Sequence, residues 1–524
     1  MTTGPLAAAG LALALAAGAT AADSARQADG PAEALYQAHC AQCHGPDRLG
    51  LMGPALLPEN LGRLSRDDAA RTIREGRAAS QMPAFGETLD AGEIQGLVDY
   101  VYTPLPELPA WGLAEVSASH KILRSADRAP KAPVHAADPL NLFVVVELGD
   151  HHATILDGDR FEPIHRFKTH FALHGGPKFS PDGRYVYFAS RDGWISKFDL
   201  YALERVAEIR AGINTRNLAV SGDGRYVMVA NYLPHTLVLL DAEDLSPIRL
   251  IPVENDRGQS SRVSAVYAAP PRESFVAALK DIPQVWEISY ADDPLPVYDG
   301  PMHDYRMDEG VSRVEGAFPV RRIRLDDYLD DFFFSPDYRL LIGAARNASN
   351  GQVVQMDLGR KIAEIDLDGL PHLGSGITWE YEGRRVLVTP HLKKSEVSVI
   401  DLDTFETIAR IPTLGPGFFM RSHENTPYAW VDVFFGPNSD AVHVIDKRTL
   451  EIVETLRPEP GKTAAHVEFD RDGEHALLSI WEMDGAVIVY DAETLKEIKR
   501  LPMVKPSGKY NVYNKITRSA GTSH

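Results

Sequence analysis

Cys40-Ala41-Gln42-Cys43-His44 sets two thiols, separated by two residues, directly before an imidazole. This is the attachment pattern of a c-type haem: each thiol can form a thioether with a haem vinyl group, and His44 reaches the iron. These are the only two cysteines in 524 residues, so the one disulfide that could compete is a bond between them. A zinc site would require further Cys or His at ligand spacing, which the nearby His39 does not supply. Met82, in Gln81-Met82-Pro83-Ala84-Phe85, is the expected second iron ligand, with Met52 the competing thioether. A thioether opposite His44 raises the reduction potential and closes the iron to small ligands, which makes an electron carrier.

The elements that must hold this haem are short helices. Pro31 to His39 leads into the haem motif, Asp67 to Gly76 gives a middle helix, and Asp90 to Tyr102 gives a last one with Ile94, Leu97, Val98 and Val101 on one face. Residues 30–103 are thus expected to form a small all-α domain, which resembles the class I c-type cytochromes. A Pro-rich linker follows at 104–114. From 115 to 524 the pattern changes to short alternating strands, punctuated by Ser180-Pro181-Asp182-Gly183, Ser221-Gly222-Asp223-Gly224, Ser335-Pro336-Asp337, Glu382-Gly383 and Asp472-Gly473. A recurring four-stranded unit of this length is a β-propeller blade, and the available chain accommodates eight. Ala291 to Val320 does not fit the repeat and reads as an inserted loop.

Hydrophobic residues at 44% and charged residues at 24% are the values of a globular protein. A formal charge of -19 argues against a nucleic-acid partner, which needs a basic stripe. Leu6 to Ala19 is apolar and small, with Ala19-Thr20-Ala21 as a cleavage site, so 1–22 reads as an export signal. No later run is long enough to span a bilayer. Covalent haem attachment through Cys-x-x-Cys-His points the same way, to the periplasm.

In a propeller the innermost strands begin at one end of a central channel, so residues just upstream of each repeated turn converge there. Those residues are His174, Arg216, Asp330, His372 and His466, with His423 in the corresponding part of another blade. Imidazoles suit iron and guanidinium suits carboxylates, so the channel is expected to take a large metal cofactor bearing acidic groups.

A cytochrome of this kind followed by an eight-bladed propeller resembles the cytochrome cd1 nitrite reductase group, whose propeller holds haem d1. The resemblance covers essentially the whole mature chain. It is carried by Trp111-Gly112, Phe171-Ala172-Leu173-His174, Arg191-Asp192-Gly193, Ala345-Arg346-Asn347, Pro371-His372, Thr389-Pro390-His391 and Pro506 to Asn514. It implies His174 as the proximal ligand of the haem d1 iron, with Arg191 and Arg216 holding carboxylates. His372 matches one of the two distal histidines of the reductases, whereas Asp330 stands where the other should be. A carboxylate there would repel nitrite and is a poor acid near neutrality. His466 occupies a position where the reductases have no histidine.

That pattern is similar to the dihydro-haem d1 dehydrogenases of haem d1 biosynthesis. It implies His372 as a second iron ligand and His466 as a base, while a propionate of dihydro-haem d1 is oxidised to an acrylate. Electrons would pass to the haem on Cys40 and Cys43 and then to a soluble acceptor. His391 and His423 have equivalents in the reductases and do not discriminate; Asp330 is open between a proton relay and a residue that orients the macrocycle. Nitrite reduction, and a non-catalytic haem d1 carrier that delivers to the nitrite reductase, are the alternatives.

Overall fold

The computed structural model describes residues 1, 30–77, 82–299, 312–313 and 316–518. Nearly all of the expected export signal, Gln81, and residues 300–311 and 314–315 of the expected insertion therefore lie outside the described residues. What is described of the insertion includes a two-stranded ribbon pairing Tyr298–Asp299 with Ser312–Arg313.

Helices α1 (Pro31–His39), α2 (Ala41–His44), α3 (Arg66–Glu75) and α4 (Ala91–Val101) form the N-terminal domain. The expected middle and last helices are present with their ends set by caps: Ser65 accepts from the Asp68 N–H, and Asp90 with Glu93 forms a capping box. The apolar face of α4 buries Ile94, Leu97, Val98 and Val101, and Tyr36 of α1 is fully buried against it. Tyr36 also donates its hydroxyl to the Gly45 carbonyl at 2.7 Å, tying α1 to the end of the haem motif.

Eight sheets of four strands follow, one of them extended by a fifth, as the repeat predicts. The ring closes where Pro506–Asn511 becomes the innermost strand of the first blade, pairing antiparallel with Leu142–Glu147. The repeated turns have one chemistry. In the first, Ser180 Oγ accepts the Tyr185 N–H at 2.9 Å and donates to Asp182, while Gly183 adopts φ +73°. Ser221–Asp223 and Ser335–Asp337 repeat the Ser–Asp contact.

Most strands bury both faces because each blade packs between two others. Tyr187, Ile195 and Ala207 of the second blade meet Leu218, Val229 and Val238 of the third. Phe143 and Leu156 of the first meet Leu477 and Val487 of the eighth. The Pro-rich segment after α4 lies against this ring: Trp111 donates its indole N–H to the Arg210 carbonyl at 3.2 Å, and helix α5 (Leu113–Ala118) buries Val116 beside the second and third blades.

Candidate active site

The haem-attachment motif is held as a c-type haem requires. Cys40 and Cys43 are unbridged and half-buried. Burial, then the neighbouring Cys43, pushes the Cys40 thiol up to about 11. His44 donates its Nδ1 hydrogen to the Pro54 carbonyl at 2.8 Å, which leaves the lone pair on Nε2. Burial holds this ring below its usual pKa, in the neutral form that ligates metal. Gly53 is required by proximity, since a Cβ there would lie 2.6 Å from the ring. Met82 is half-buried, and its carbonyl accepts the Arg77 N–H at 3.1 Å.

The chain just after this motif sits on the mouth of the propeller. Ala55 and Leu57 share a core with Ile213 and Leu233 of the third blade. Asn60 donates to the Tyr232 carbonyl at 3.1 Å, and Asn214 donates to the Leu51 carbonyl at 3.2 Å. Gly50 passes so near that a Cβ would lie 2.9 Å from Asn214 Cγ. The haem motif and Arg216, on the same strand as Asn214, are thereby linked through a few residues.

Inside the channel, His174 precedes the innermost strand of the second blade and is anchored by its N–H to the Ala189 carbonyl at 2.9 Å. Its Nδ1 lies 2.9 Å from the Arg216 carbonyl and 2.8 Å from Arg216 Nη1, which also stands 3.2 Å from Nε2, so Arg216 meets both nitrogens of the ring. Burial first, then Arg191 and Arg216, hold His174 well below its usual pKa. His372 stands before the innermost strand of the sixth blade, its N–H on the Pro390 carbonyl at 2.8 Å. It donates Nδ1–H to the Phe418 carbonyl, so its lone pair is on Nε2, which faces Asp331 Oδ2 at 3.9 Å. Burial lowers its pKa, with Arg216 and Arg421 adding to the effect. Arg216 lowers the pKa of both imidazoles.

His466 lies at a bulge in the innermost strand of the eighth blade, between Ala465 and Glu468, with φ +55°. A bulge with a left-handed residue re-aims its side chain, here beside Phe419 at 4.6 Å and Tyr510 at 5.1 Å between ring centroids. Its Nε2 is buried and meets no hydrogen-bond partner among the described residues. The Lys509 N–H reaches Nδ1 only at 3.4 Å, a contact too long to fix the tautomer. Burial, then Lys509 and Arg421, keep the ring neutral far below its usual pKa.

Asp330 behaves differently from the three histidines. It pairs with Lys280 at 2.7 Å and with Arg63 of the haem-bearing domain at 3.3 Å, and accepts the Arg346 N–H at 2.7 Å. Burial alone would raise its pKa, but Lys280 and Arg63 hold it well below the carboxylate range. Arg63 also lies over the Tyr328 ring, 3.9 Å from its centroid.

The structure leaves His423 and His391 out of the channel. His423 lies at the far end of the innermost strand of the seventh blade, packed on Gly473, with Nε2 3.2 Å from the Arg471 carbonyl. The end of that strand which meets the cavity brings Phe418 and Phe419 instead. His391 is fully buried between the Asp368 carbonyl and Ser398 Oγ, a structural pairing.

Several groups go beyond the sequence reading. Lys280, Arg216, Arg191 and Arg262 overcome the effect of burial on Tyr232 and bring its hydroxyl down to about 7. Lys178 and Lys515 are brought by burial down to about 7 and about 8, near Arg421. Arg191 Nε, Arg346 Nη1, Arg421 Nη2 and Trp481 Nε1 are buried polar atoms with no partner among the described residues. Unpaired donors of this kind cost about 1–3 kcal/mol each unless a ligand accepts from them. A macrocycle carrying carboxylates fits that donor set, with two imidazoles for its iron.

Comparison with known proteins follows the same division. Residues 137–515 match the family model described as the cytochrome D1 heme domain, and residues 27–101 match that of the cbb3-type cytochrome c oxidase subunit III. The chain is 55% identical to the dihydro-heme d1 dehydrogenase of Pseudomonas aeruginosa over 98% of its own length and 99% of the relative's. It is 30% identical to Protein NirF of the same organism, covering 70% of this chain and 90% of NirF. The solved structure of dihydro-heme d1 dehydrogenase NirN in complex with DHE superposes with a TM-score of 0.76 at 55% identity, covering 93% of this chain and 100% of that one.

Proposed function

Because the chain belongs to the cytochrome d1 haem domain family, we propose that its propeller binds dihydro-haem d1 and acts as a dehydrogenase of haem d1 biosynthesis. The reaction removes two hydrogens from a propionate side chain, as two protons and two electrons, and leaves an acrylate. The observation that carries this reading is the buried Nε2 of His466, without a hydrogen-bond partner among the described residues, on an innermost strand of the same ring of blades that positions His174 and His372.

In this reading His174 and His372 would hold the substrate iron, His372 with its tautomer set by the Phe418 carbonyl. Arg191 and Arg216 bind substrate carboxylates; to do so, Arg216 withdraws from the lone pair of His174. His466, neutral across the working pH range, takes one of the two protons from the side chain, and the other leaves to solvent. The resident haem c, held by Cys40, Cys43, His44 and Met82, supplies one-electron acceptance when bound. Asp330 serves as a docking carboxylate for Arg63, with no part in proton transfer, since it is held ionised. Two single-electron transfers per substrate require a soluble acceptor to reoxidise haem c between them. The periplasm suits that chemistry and the covalent haem, and the nitrite reductase is the natural recipient of the product.

The test is anaerobic. Haem c-loaded protein is mixed with dihydro-haem d1, and the macrocycle mass and the haem c spectrum are followed together. Loss of one pair of hydrogens with reduction of haem c supports the reading; tight binding with unchanged mass would replace it with a carrier.

A further inference from the structure

Asp432 is fully buried at the end of the second strand of the seventh blade, Tyr428–Asp432, and is not in the innermost row that supplies the other channel residues. Its Oδ1 accepts the Phe418 N–H at 2.7 Å and the Phe419 N–H at 3.0 Å; its Oδ2 accepts the His466 N–H at 3.1 Å. The Phe418 carbonyl is the group that receives Nδ1–H of His372. Phe418 also packs on the His372 ring at 4.3 Å between centroids, as Phe419 does on His466 at 4.6 Å.

From these contacts we infer that Asp432 is the positioning residue that sets His466 against the substrate, by tying its backbone to the loop whose Phe418 carbonyl receives His372. One carboxylate binds two backbone segments, the Phe418–Phe419 loop of the seventh blade and the bulge of the eighth, and adds to the ring contact of Phe419 with His466 a set of hydrogen bonds that fixes their register. The bulge needs such a tie, because a histidine at φ +55° is held only where its surroundings impose it. Lys509 completes the hold from the other side by donating to the His466 carbonyl and to Ser479 Oγ. Burial lifts Asp432 to about 6, opposed by the three backbone N–H groups and by Lys509.

The inference rests on the dehydrogenase reading for its kinetic consequence but not for its geometry, and the test separates the two. Asp432→Asn keeps shape but has one acceptor oxygen and one donor amine. The oxygen is expected to stay with the Phe418 and Phe419 N–H pair, which turns the amine against the His466 N–H. The variant should then keep the affinity and the spectrum of bound dihydro-haem d1, which report His372, while kcat falls by about 100-fold, the scale of a misplaced reacting group. A crystal structure of the variant without substrate should show His466 out of its left-handed conformation and the His372 to Phe418 contact kept. Wild-type kcat together with an unmoved His466 would overturn the inference. Should the wild-type protein fail to oxidise dihydro-haem d1, the dehydrogenase reading falls, and the crystal structure still decides the clamp.

Discussion

The two walls of the channel hold their imidazoles by different contacts, although cations lower the pKa on both. On the side of His174, guanidinium groups crowd the imidazole: Arg216 touches it and Arg191 lowers its pKa. On the side of His372 and His466, the imidazoles face or hang from carboxylates and carbonyls, Asp331, Asp432 and Phe418 among them. The first wall is suited to binding a polyanion, and the second to holding neutral rings in a fixed pose. On the proposed reading, binding and proton transfer fall to different blades, so substitutions on the two walls should fail in different ways.

The sharpest break is expected at His466. His466→Ala should lower kcat by about 10²-fold or more, the usual contribution of a general base, while the dissociation constant for dihydro-haem d1 stays near the wild-type value. Single-turnover kinetics with a separate binding titration measures both. A smaller and opposite split is expected on the other wall. Arg216→Leu should weaken binding by about 10- to 100-fold, the worth of a hydrogen bond to a charged group at about 1.5–3 kcal/mol, with kcat at saturation retained.

Asp330 marks the border between the domains rather than either wall. Its folded-state pKa is depressed, so the stability it contributes is complete above its unfolded value of about 3.9 and is lost as pH falls below that. Asp330→Asn should lower the melting temperature at neutral pH and remove this acid-side dependence, seen as melting curves for the two proteins that converge towards acid pH. A last effect concerns buried groups that titrate near neutrality and bears on stability alone. Lys178 and Lys509 at about 7, and Tyr232 at about 7, lie below their unfolded values of about 10. Between these limits the unfolded chain binds more protons, so stability of the substrate-free protein rises with pH, by up to about 1.4 kcal/mol per unit for each proton. Lys509→Met should flatten the rise between pH 7 and about 9 in a melting series.

The sequence makes the propeller legible because a repeated turn, Ser-x-Asp-Gly at 180–183 and 221–224 and a looser form at Glu382-Gly383 and Asp472-Gly473, follows several innermost strands, and counting back from it locates His174, Arg216, His372 and His466. The same count misplaces His423, because its blade turns through Glu424-Asn425-Thr426-Pro427 and the offset no longer holds. Asp432 leaves no trace in such a count: it sits one strand out from the channel and acts through backbone N–H groups that no motif records. Asp330 was recognisable as unusual, but its role depends on Arg63, about 270 residues away in sequence. Contacts at that separation between domains leave no periodic mark. The haem motif, by contrast, is wholly local, and its carbonyl partner Pro54 follows within the next loop.

The most direct test of the account is the pH profile of anaerobic haem c reduction after mixing with dihydro-haem d1, measured for the wild type, His466→Ala and Asp330→Asn. The account predicts that His466→Ala loses the reaction, while Asp330→Asn keeps the wild-type profile whatever its absolute rate. A profile abolished by Asp330→Asn but preserved in His466→Ala would contradict it and move proton transfer to the carboxylate.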